Sequence, residues 1–484
     1  MKKFIASLVS VLFVGGSISS ANTAFYAADN TGNVLAAFTD EQISRSGVVG
    51  DNVSYALYSD GTLILSGEGD TYGYADFDSP LFRVNASKII VEEGITSIGD
   101  GLFNSSPVSE VEFPETLTSI GSFSFQFCDN IKEITIPASV KSIGQYAFSM
   151  CTSLETVYVP DSVENIGEGV FNGTKWLKNK LAESGMNIIN GILTDASKCS
   201  GEVVIPDTVK SIGNKAFFYA TDVTSVVIPD SVETIGEYAF DITAFPSPLV
   251  SVTMGKSVRS IGKSAFEFCS YIEAIDLPST LEIIGESAFT RCERLSSISI
   301  PDSVTSIGAD AFSYCDKIEE LTIPASVSEI NKDTFRECAA LKRITFLNPD
   351  CEIYDDALTI SNSYIPTAGF KPVYNGVICG YEGSTAQAYA EKYGYTFEAL
   401  GETSKLGDVN GDGLINAVDA SKILVFFAQL QDGSASAAAK DIAVCDVNKD
   451  GIINAVDASL VLVYTTVIAE DPTVTLEEFI DSRK

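Results

Sequence analysis

Residues 143–166 read IGQYAFSMCTSLETVYVPDSVENI. From Leu154 to Val159 the side chains alternate between core and surface types, which is the period of a β-strand, and Pro160 ends the strand because it cannot donate a ladder hydrogen bond. The stretch returns at a spacing close to 23 residues. Its first isoleucine recurs as Ile98, Ile120, Ile166, Ile212, Ile235, Ile261, Ile284, Ile307 and Ile330. Such a period predicts a solenoid in which each turn adds one strand to a parallel sheet.

A second set of apolar residues has the same period and predicts the opposite wall of the solenoid. These anchors are Phe103, Phe125, Phe148, Phe171, Phe217, Phe240, Phe266, Phe289, Phe312 and Phe335. No single turn can bury such side chains, whereas stacked turns can, with each turn contacting its neighbours. The step from Ile166 to Ile212 spans two periods and predicts one degenerate turn with Ile189 at the missing rung. About eleven turns of 23 residues are expected.

The outward positions of the predicted strands form the natural surface for a ligand. They are Glu112, Thr135, Tyr158, Val204, Val227, Thr253, Asp276, Ser299, Thr322 and Thr345. Threonine and valine also suit strands without any binding role. The functional hypothesis is narrower: Tyr158, Val204 and Val227 form a less polar patch near the degenerate turn.

The repeat unit Ile-Gly-x-x-Ala-Phe-x-x-Cys-x-x-Leu-x-x-Ile-x-Ile-Pro-x-x-Val resembles the BspA-type leucine-rich repeat of bacterial surface proteins. The resemblance covers residues 89–348 and implies an α/β leucine-rich-repeat solenoid. Residues 28–88 and 349–400 resemble that family's caps, which cover the terminal apolar faces of a solenoid. The family is associated with adhesion and protein binding, so the resemblance implies an unknown protein or glycan ligand on the solenoid.

Six of the ten cysteines occupy one slot of the repeat and are predicted to be buried free thiols. They are Cys128, Cys151, Cys269, Cys292, Cys315 and Cys338. The same slot holds Ser106, Thr174, Ala220 and Thr243 in other turns, so it selects a small side chain. Parallel side chains on stacked turns lie alongside each other, which is poor geometry for a disulfide. Cys199, Cys351 and Cys379 receive no assignment.

The composition excludes several classes of function. The net charge of -34 disfavours nucleic acid and anionic lipid as partners. The chain contains no histidine, which removes Ser-His and Cys-His nucleophiles, histidine general bases and histidine-ligated zinc. A glycosidase built on two carboxylates needs no imidazole and therefore stays open as an alternative.

The N-terminus reads as a secretory signal peptide over residues 1–27. Lys2 and Lys3 precede the apolar stretch 4–14, and small residues follow around Ala21 to Ala28. No later stretch is long and apolar enough to insert into a membrane. The sequence therefore predicts a secreted, extracellular protein whose attachment to a cell is non-covalent.

After a polar linker at residues 401–405, two similar segments of 12 residues begin at Asp408 and Asp446 and differ only at their fourth and seventh positions. Oxygen side chains at positions 1, 3, 5, 9 and 12, a glycine at position 6 and a carbonyl at position 7 suit a calcium ion. The predicted ligands are Asp408, Asn410, Asp412, Leu414, Asn416 and Asp419 in the first loop, and Asp446, Asn448, Asp450, Ile452, Asn454 and Asp457 in the second. Two Ca²⁺ ions are expected, and their binding should be linked to folding because the carboxylates repel one another.

Each loop closes with aspartate and leads into a single apolar helix-like run, a pattern that resembles a type I dockerin over residues 406–470. The resemblance implies a small α-helical domain with two EF-hand-like loops, which binds a cohesin on a scaffold protein. It maps the partner-binding positions to Ala417, Val418, Leu424, Val425, Ala455, Val456, Leu462 and Val463. Because the two sets are nearly identical, the resemblance implies that either face can dock, although the protein need use only one of them. Ile423 and Phe427 are assigned to the core, with Leu424 or Val425 as further core candidates, and residues 471–484 are assigned to a tail.

The modules together predict a non-catalytic binding protein of a cellulosome or cell surface, with the dockerin as anchor and the solenoid as binding surface. Two alternatives remain open. Dockerins often accompany glycoside hydrolases, so the chain could be a hydrolytic component of polysaccharide degradation. It could also inhibit an enzyme through the sheet face of the solenoid.

Overall fold

The computed structural model describes residues 24–28, 34–39, 42–75, 78–241, 247–365, 371–400, 406–410, 414–432, 442, 444–470 and 474–483. Most of the predicted signal peptide, Thr243 of the cysteine slot, the linker 401–405 and Asp412 lie outside these residues. The chain divides into two compact units. The first contains residues up to Asn165 together with Val170–Trp176, and the second contains Ile166–Gly169 and the chain from Leu177 onward.

The described residues up to residue 166 contain fourteen strands. They are β1 (Ala24–Ala28), β2 (Val34–Thr39), β3 (Ile43–Val48), β4 (Val53–Tyr58), β5 (Thr62–Gly67), β6 (Gly69–Asp70), β7 (Lys88–Val91), β8 (Ile95–Ile98), β9 (Glu110–Glu112), β10 (Ser119–Ile120), β11 (Glu133–Thr135), β12 (Ser142–Ile143), β13 (Thr156–Tyr158) and β14 (Asn165–Ile166). β1 and β2 pair in antiparallel fashion, and β3, β4 and β5 form an antiparallel meander. β5 then pairs in parallel with β7, so the segment before residue 89 starts the parallel ladder of the repeats.

The strands that follow carry the same two-ladder pattern. They are β15 (Asn187–Ile189), β16 (Ile192–Asp195), β17 (Ser200–Val204), β18 (Ser211–Ile212), β19 (Asp222–Val227), β20 (Thr234–Ile235), β21 (Ser251–Thr253), β22 (Ser260–Ile261), β23 (Ala274–Ile275), β24 (Ile283–Ile284), β25 (Ser297–Ile298), β26 (Ser306–Ile307), β27 (Glu320–Ile323), β28 (Glu329–Ile330), β29 (Arg343–Phe346), β30 (Glu352–Ile353), β31 (Ser363–Ile365), β32 (Lys371–Val373), β33 (Val377–Gly380) and β34 (Thr396–Ala399). The described helices are α1 (Lys175–Ser184), α2 (Thr385–Tyr393), α3 (Ala417–Asp432), α4 (Ala455–Glu470) and α5 (Leu476–Asp481).

Each regular turn contributes two short parallel strands, whereas the sequence predicted one. The recurring isoleucine lies in one ladder, where Ile212 pairs with Ile235 and Ile235 with Ile261. The other ladder holds the predicted strand, as in the pairing of Ile134 with Val157. Over the described residues the parallel ladders correspond to about 14 turns rather than eleven. The additional turns arise because strands before residue 89 and after residue 348, such as β5 and β33, pair in the same parallel ladders.

The degenerate turn departs from the prediction. Residues 175–184 form α1, and β15 and β16 then make an antiparallel hairpin in which Ile189 pairs with Ile192. Leu193 pairs with Ile212 and occupies the rung assigned to Ile189, so that assignment was wrong. The hairpin displaces the rung by four residues because both of its strands must be accommodated before the ladder resumes.

The predicted phenylalanine anchors are all buried and stack ring on ring. In the first unit, the ring centroids of Phe103, Phe125, Phe148 and Phe171 lie 5.1, 5.2 and 5.8 Å apart in that order. In the second unit, neighbouring rings of this set lie 4.8 to 5.8 Å apart. These spacings are close to the distance between paired strands, so each ring covers the ring of the next turn.

The Ile-Gly pair of the motif has a steric cause. A Cβ atom at Gly144 would lie 2.4 Å from the backbone nitrogen of Ser122 on the preceding turn. Two left-handed residues also flank most of the anchors, as Tyr146 (φ 54°) and Met150 (φ 59°) flank Phe148. They hold the tight corner, where Phe148 N donates to Val170 O at 2.9 Å. The motif did not reveal these corners, because most of them carry long side chains rather than glycine.

Candidate functional site

The C-terminal domain is a small helical core between two loops. Loop 408–419 leads into α3 and loop 446–457 leads into α4, and these two helices pack on each other. The core consists of Leu406, Ile415, Ala420, Ile423, Cys445, Val447, Ile453, Ala458, Val461, Tyr464, Leu476, Phe479 and Ile480. Ile423 is buried as predicted, but Phe427 is only half-buried and was wrongly assigned to the core. Its neighbour Phe426 packs against the core instead.

The second loop wraps its backbone around its own acidic side chains. Asp446 accepts hydrogen bonds from Asp450 N at 3.0 Å and from Gly451 N at 2.8 Å. Asp457 accepts from Asn448 N at 3.2 Å and from Asn454 N at 2.8 Å. Gly451, at loop position 6, has a φ of 87°, the left-handed conformation that the sharp turn requires. Burial raises the pKa of Asp457 above its ordinary value. The hydrogen bonds that Asp457 accepts from backbone N–H groups oppose this shift but are the smaller effect.

In the first loop, as in the second, the last aspartate accepts hydrogen bonds from the backbone of its own loop. Asp419 is fully buried and accepts from Val409 N at 2.9 Å, Asn410 N at 3.1 Å and Asn416 N at 2.8 Å. Asp408 is also buried, and Leu414, whose carbonyl is the predicted ligand, has an exposed side chain. In both loops the last aspartate therefore ties the loop to the first turn of the following helix.

The donor set fits a hard divalent cation, because every predicted side-chain ligand offers oxygen and each loop carries three carboxylates in its sequence. Within the described residues, no three acidic or cysteine side chains converge as a ready-made metal site. The carboxylates of the second loop instead accept backbone N–H bonds, as Ile452 N donates to Asp450 at 2.8 Å. Each carboxylate has about four lone-pair sites and accepts fewer N–H bonds than that here, so its oxygens can still bind an ion.

All eight predicted partner-binding residues are exposed. Leu424 and Val425 have 43% and 58% of their surface exposed, and the equivalent Leu462 and Val463 have 44% and 36%. These large apolar side chains are thus available on the surface of both helices. The possibility that Leu424 or Val425 serves as core is excluded by their exposure.

The segment assigned to a tail contains a helix that the sequence reading missed. α5 begins with a capping box, in which Thr475 accepts from Glu478 N and Glu478 accepts from Thr475 N. Its Leu476, Phe479 and Ile480 are buried in the core of this C-terminal domain. The Thr-x-x-Glu pattern ahead of apolar residues was the signal that could have revealed it. The boundary drawn at residue 470 separates this helix from the core on which it packs.

The repeat surface presents small side chains on its strands. Among the outward positions, Glu112, Val227 and Thr345 are half-buried and the other seven are exposed. Val204 pairs with Val227 in the second unit, and Val204 is 62% exposed. Tyr158 belongs to the first unit and is 56% exposed.

Comparison with known families accounts for both parts of the chain. Residues 81–199, 194–247 and 244–364 match the model of the BspA type leucine-rich repeat region in 6 copies, which covers more than half of the chain. The chain belongs to the BspA-type leucine-rich repeat family. Residues 406–464 of this repeat protein match the dockerin type I domain. No curated protein sequence matches the chain.

Solved structures similar to this BspA-type protein are bacterial repeat proteins. A leucine-rich repeat protein from Eubacterium ventriosum is 22% identical, with 62% of this chain and 90% of that chain covered and a TM-score of 0.36. The pneumococcal vaccine antigen PcpA is 14% identical, with 74% and 99% covered and a TM-score of 0.34. The T. pallidum leucine rich repeat protein is 22% identical, with 43% and 89% covered and a TM-score of 0.32.

The repeats and the dockerin together indicate the general class of function of the protein. Neither BspA-type repeats nor a dockerin is a catalytic module, and their combination supports a non-catalytic binding protein of the cellulosome type. Type I dockerins bind calcium, and a dockerin implies a cohesin partner. Along the part of the chain that the structure describes, no helix has the length and apolar character needed to cross a bilayer.

Proposed function

We propose that this protein is secreted and docks through its dockerin, in the presence of calcium, onto a cohesin of a cellulosome or cell-surface scaffold. The observation that carries the proposal is the exposure of large apolar side chains on the helices that directly follow the two calcium-type loops. A soluble domain gains nothing from leaving Val418, Val425, Val456 and Val463 in water. A partner surface that covers them accounts for their position.

Two Ca²⁺ ions are proposed, one for each loop. The ligands are the side-chain oxygens of Asp408, Asn410, Asp412, Asn416, Asp419, Asp446, Asn448, Asp450, Asn454 and Asp457, and the carbonyl oxygens of Leu414 and Ile452. A bound ion supplies positive charge that offsets the repulsion among the three carboxylates of a loop. Asp419 and Asp457 accept N–H groups from both ends of their loops, so a change in loop shape is transmitted to α3 and α4. Docking should therefore depend on calcium through the order of these two helices.

The repeats are proposed to bind a protein or glycan ligand, in adhesion or in targeting to a substrate. The support is the sheet surface with its exposed outward side chains, in which Val204 and Val227 are neighbours on paired strands. The ligand would contact this surface while the dockerin holds the chain on its scaffold.

A binding assay tests the docking proposal directly. The full chain is passed over a panel of immobilised type I cohesin modules, with calcium and then with a chelator. We expect capture by at least one cohesin in calcium and release in the chelator. Capture that is equal in both conditions would refute calcium-dependent docking.

The function of the repeats needs a separate assay. The full chain is incubated with cell-wall polysaccharides and with mucus proteins, and both retention and soluble sugar are measured. Retention without sugar release supports binding. Release of sugar would establish the hydrolase alternative, and reduced activity of an added hydrolase or protease would establish the inhibitor alternative.

A further inference from the structure

The two halves of the dockerin bury equivalent side chains to different extents. Equivalent residues lie 38 positions apart in the sequence. Val447 and Tyr464 of the second half are buried, whereas Val409 and Phe426 at the same positions of the first half are half-buried. The near-identity of the two sequence repeats therefore does not extend to their packing.

The helix α5 causes part of this difference, because it packs on the second half. The hydroxyl of Tyr464 donates to Val474 O at 2.9 Å, and its ring lies 5.7 Å from that of Phe479. Leu476 of α5 also reaches Gly407 at the start of the first half, where a Cβ atom would come within 2.5 Å of its Cδ2. The second half is thus closed by a segment of its own chain.

The first half has an open groove in the corresponding region. A cavity of about 390 Å³ lies beside α3. Val418, Val425 and Phe426 of α3 line it together with Val409 and Cys445. The groove includes two of the proposed partner-binding residues and continues the exposed apolar surface of α3. Its size allows a large apolar side chain of a partner to enter.

The groove also carries a positive charge that the helix α4 lacks at the equivalent position. Lys422 lines the cavity, whereas the equivalent position on α4 is Leu460. Lys422 is exposed and has no ion-pair partner among the described residues. In a chain with a net charge of -34, such a cation beside an apolar groove complements a partner that presents an apolar side chain next to a carboxylate.

We propose that the two faces are not interchangeable and that the first face, on α3, is the one that docks the cohesin. The cohesin inserts an apolar side chain between Val418, Val425 and Phe426 and places an Asp or Glu against Lys422. The inference rests on the proposed docking to a cohesin. The inference goes beyond that proposal because it assigns the docking to one face, although the two faces have nearly identical sequences.

The test compares matched substitutions in the full chain. Val425→Asp and Val463→Asp place the same charge at equivalent exposed positions of α3 and α4. Affinity is measured in calcium for a type I cohesin that captures the unmodified chain. We expect Val425→Asp to raise the Kd at least about tenfold more than Val463→Asp does. An equal or larger effect of Val463→Asp would overturn the choice of face.

A second pair of variants examines the charge. Lys422→Glu should weaken binding several-fold at low salt and flatten its dependence on salt. Lys178→Glu on α1 makes the same change in net charge at an exposed site outside the dockerin. Equal affinities for these two variants would contradict the role of Lys422. Calcium-dependent melting of each dockerin variant establishes that its fold is retained.

The outcomes separate the two proposals. If no cohesin binds the unmodified chain in calcium, the proposed function and this inference fail together. If the unmodified chain binds and Val463→Asp causes the larger loss, docking stands and the assignment to α3 is wrong.

Discussion

The thiol of Cys315 donates a hydrogen bond to the carbonyl oxygen of Phe289, one turn earlier in the solenoid, with 3.2 Å between sulfur and oxygen. The same contact recurs for Cys128 with Phe103, Cys151 with Phe125, Cys269 with Phe240, Cys292 with Phe266 and Cys338 with Phe312. Ser106 makes the equivalent bond to Leu81 O through its hydroxyl. The slot therefore selects a small side chain, and where that side chain has a donor it links two turns.

Burial keeps these thiols protonated, so they act as donors. It raises the pKa of Cys151 and of Cys338 to about 12, and it raises the pKa of Cys315 well above its ordinary value. All ten cysteines are free thiols in the structure, as the repeat slot predicted for six of them.

Cys315→Ala should destabilise the repeats more than Cys315→Ser does. Alanine removes one of two donors to the carbonyl of Phe289, which still accepts from Cys292 N at 3.1 Å, and we expect a loss of about 0.5–1.5 kcal/mol in the free energy of unfolding. Serine keeps a donor, as Ser106 does. Urea unfolding of both variants is the measurement. Equal destabilisation would show that the hydrogen bond contributes little beyond packing.

Phe289→Ala should cost about 3–5 kcal/mol of unfolding free energy, because it opens a cavity between the rings of Phe266 and Phe312, each 5.4 Å away. Tyr354→Ala, at a side chain that is 48% exposed, is the control and should change stability by about 0.5 kcal/mol or less. A small effect of Phe289→Ala would mean that neighbouring turns collapse into the space.

Asp241 should make the stability of the repeats depend on pH. Burial and the nearby Glu267 raise its pKa from 3.8 to about 6, although Lys215 opposes the shift. A raised carboxyl pKa means that the folded state favours the protonated form of Asp241. The stabilisation that comes from the protonated carboxyl is therefore complete below pH 3.8 and is lost as the pH rises through about 6. We therefore expect Asp241→Asn to raise the melting temperature at pH 7 and to change it little near the ordinary pKa of 3.8. An increase of the same size at both pH values would contradict the titration.

Phe479→Ala should loosen the dockerin although it lies beyond the region matched by the family. The side chain is buried against Tyr464, and its loss should cost about 3 kcal/mol or more of dockerin stability. Glu477→Ala is the control on the same helix. Its only described ion pair, with Lys449 at 3.6 Å, is exposed and should contribute little. Calorimetry of both variants in calcium gives their melting temperatures. Equal melting temperatures would show that α5 does not contribute to the stability of the dockerin.

Asp408→Ala combined with Asp446→Ala should abolish calcium binding, because each change removes the carboxylate at loop position 1. We expect cohesin capture to be lost and the calcium-dependent rise in melting temperature to disappear. Calorimetric titration with calcium measures the first effect. A double variant that still takes up two ions with the original affinity would refute the assigned ligands.

Much of the repeat architecture followed from the sequence, because burial in a solenoid is periodic and each turn repeats the same local environment. Ile143, Phe148 and Cys151 could be placed in the core from their spacing alone. The two loops could be identified in the same way, since their donor residues lie within one short segment of chain. The count of turns was too low because β5 and β33 join the ladders without carrying the repeat motif.

Only the tertiary structure decided the features that depend on contacts between distant segments. Leu193 replaces Ile189 in the ladder because a hairpin intervenes, and Phe426 rather than Phe427 faces the core because of how α3 packs. The burial of α5 on Tyr464 makes two nearly identical sequence repeats physically different. The spacing of residues determines which side chains share an environment. The segment that covers those side chains is determined by long-range packing, which cannot be predicted from a local sequence pattern.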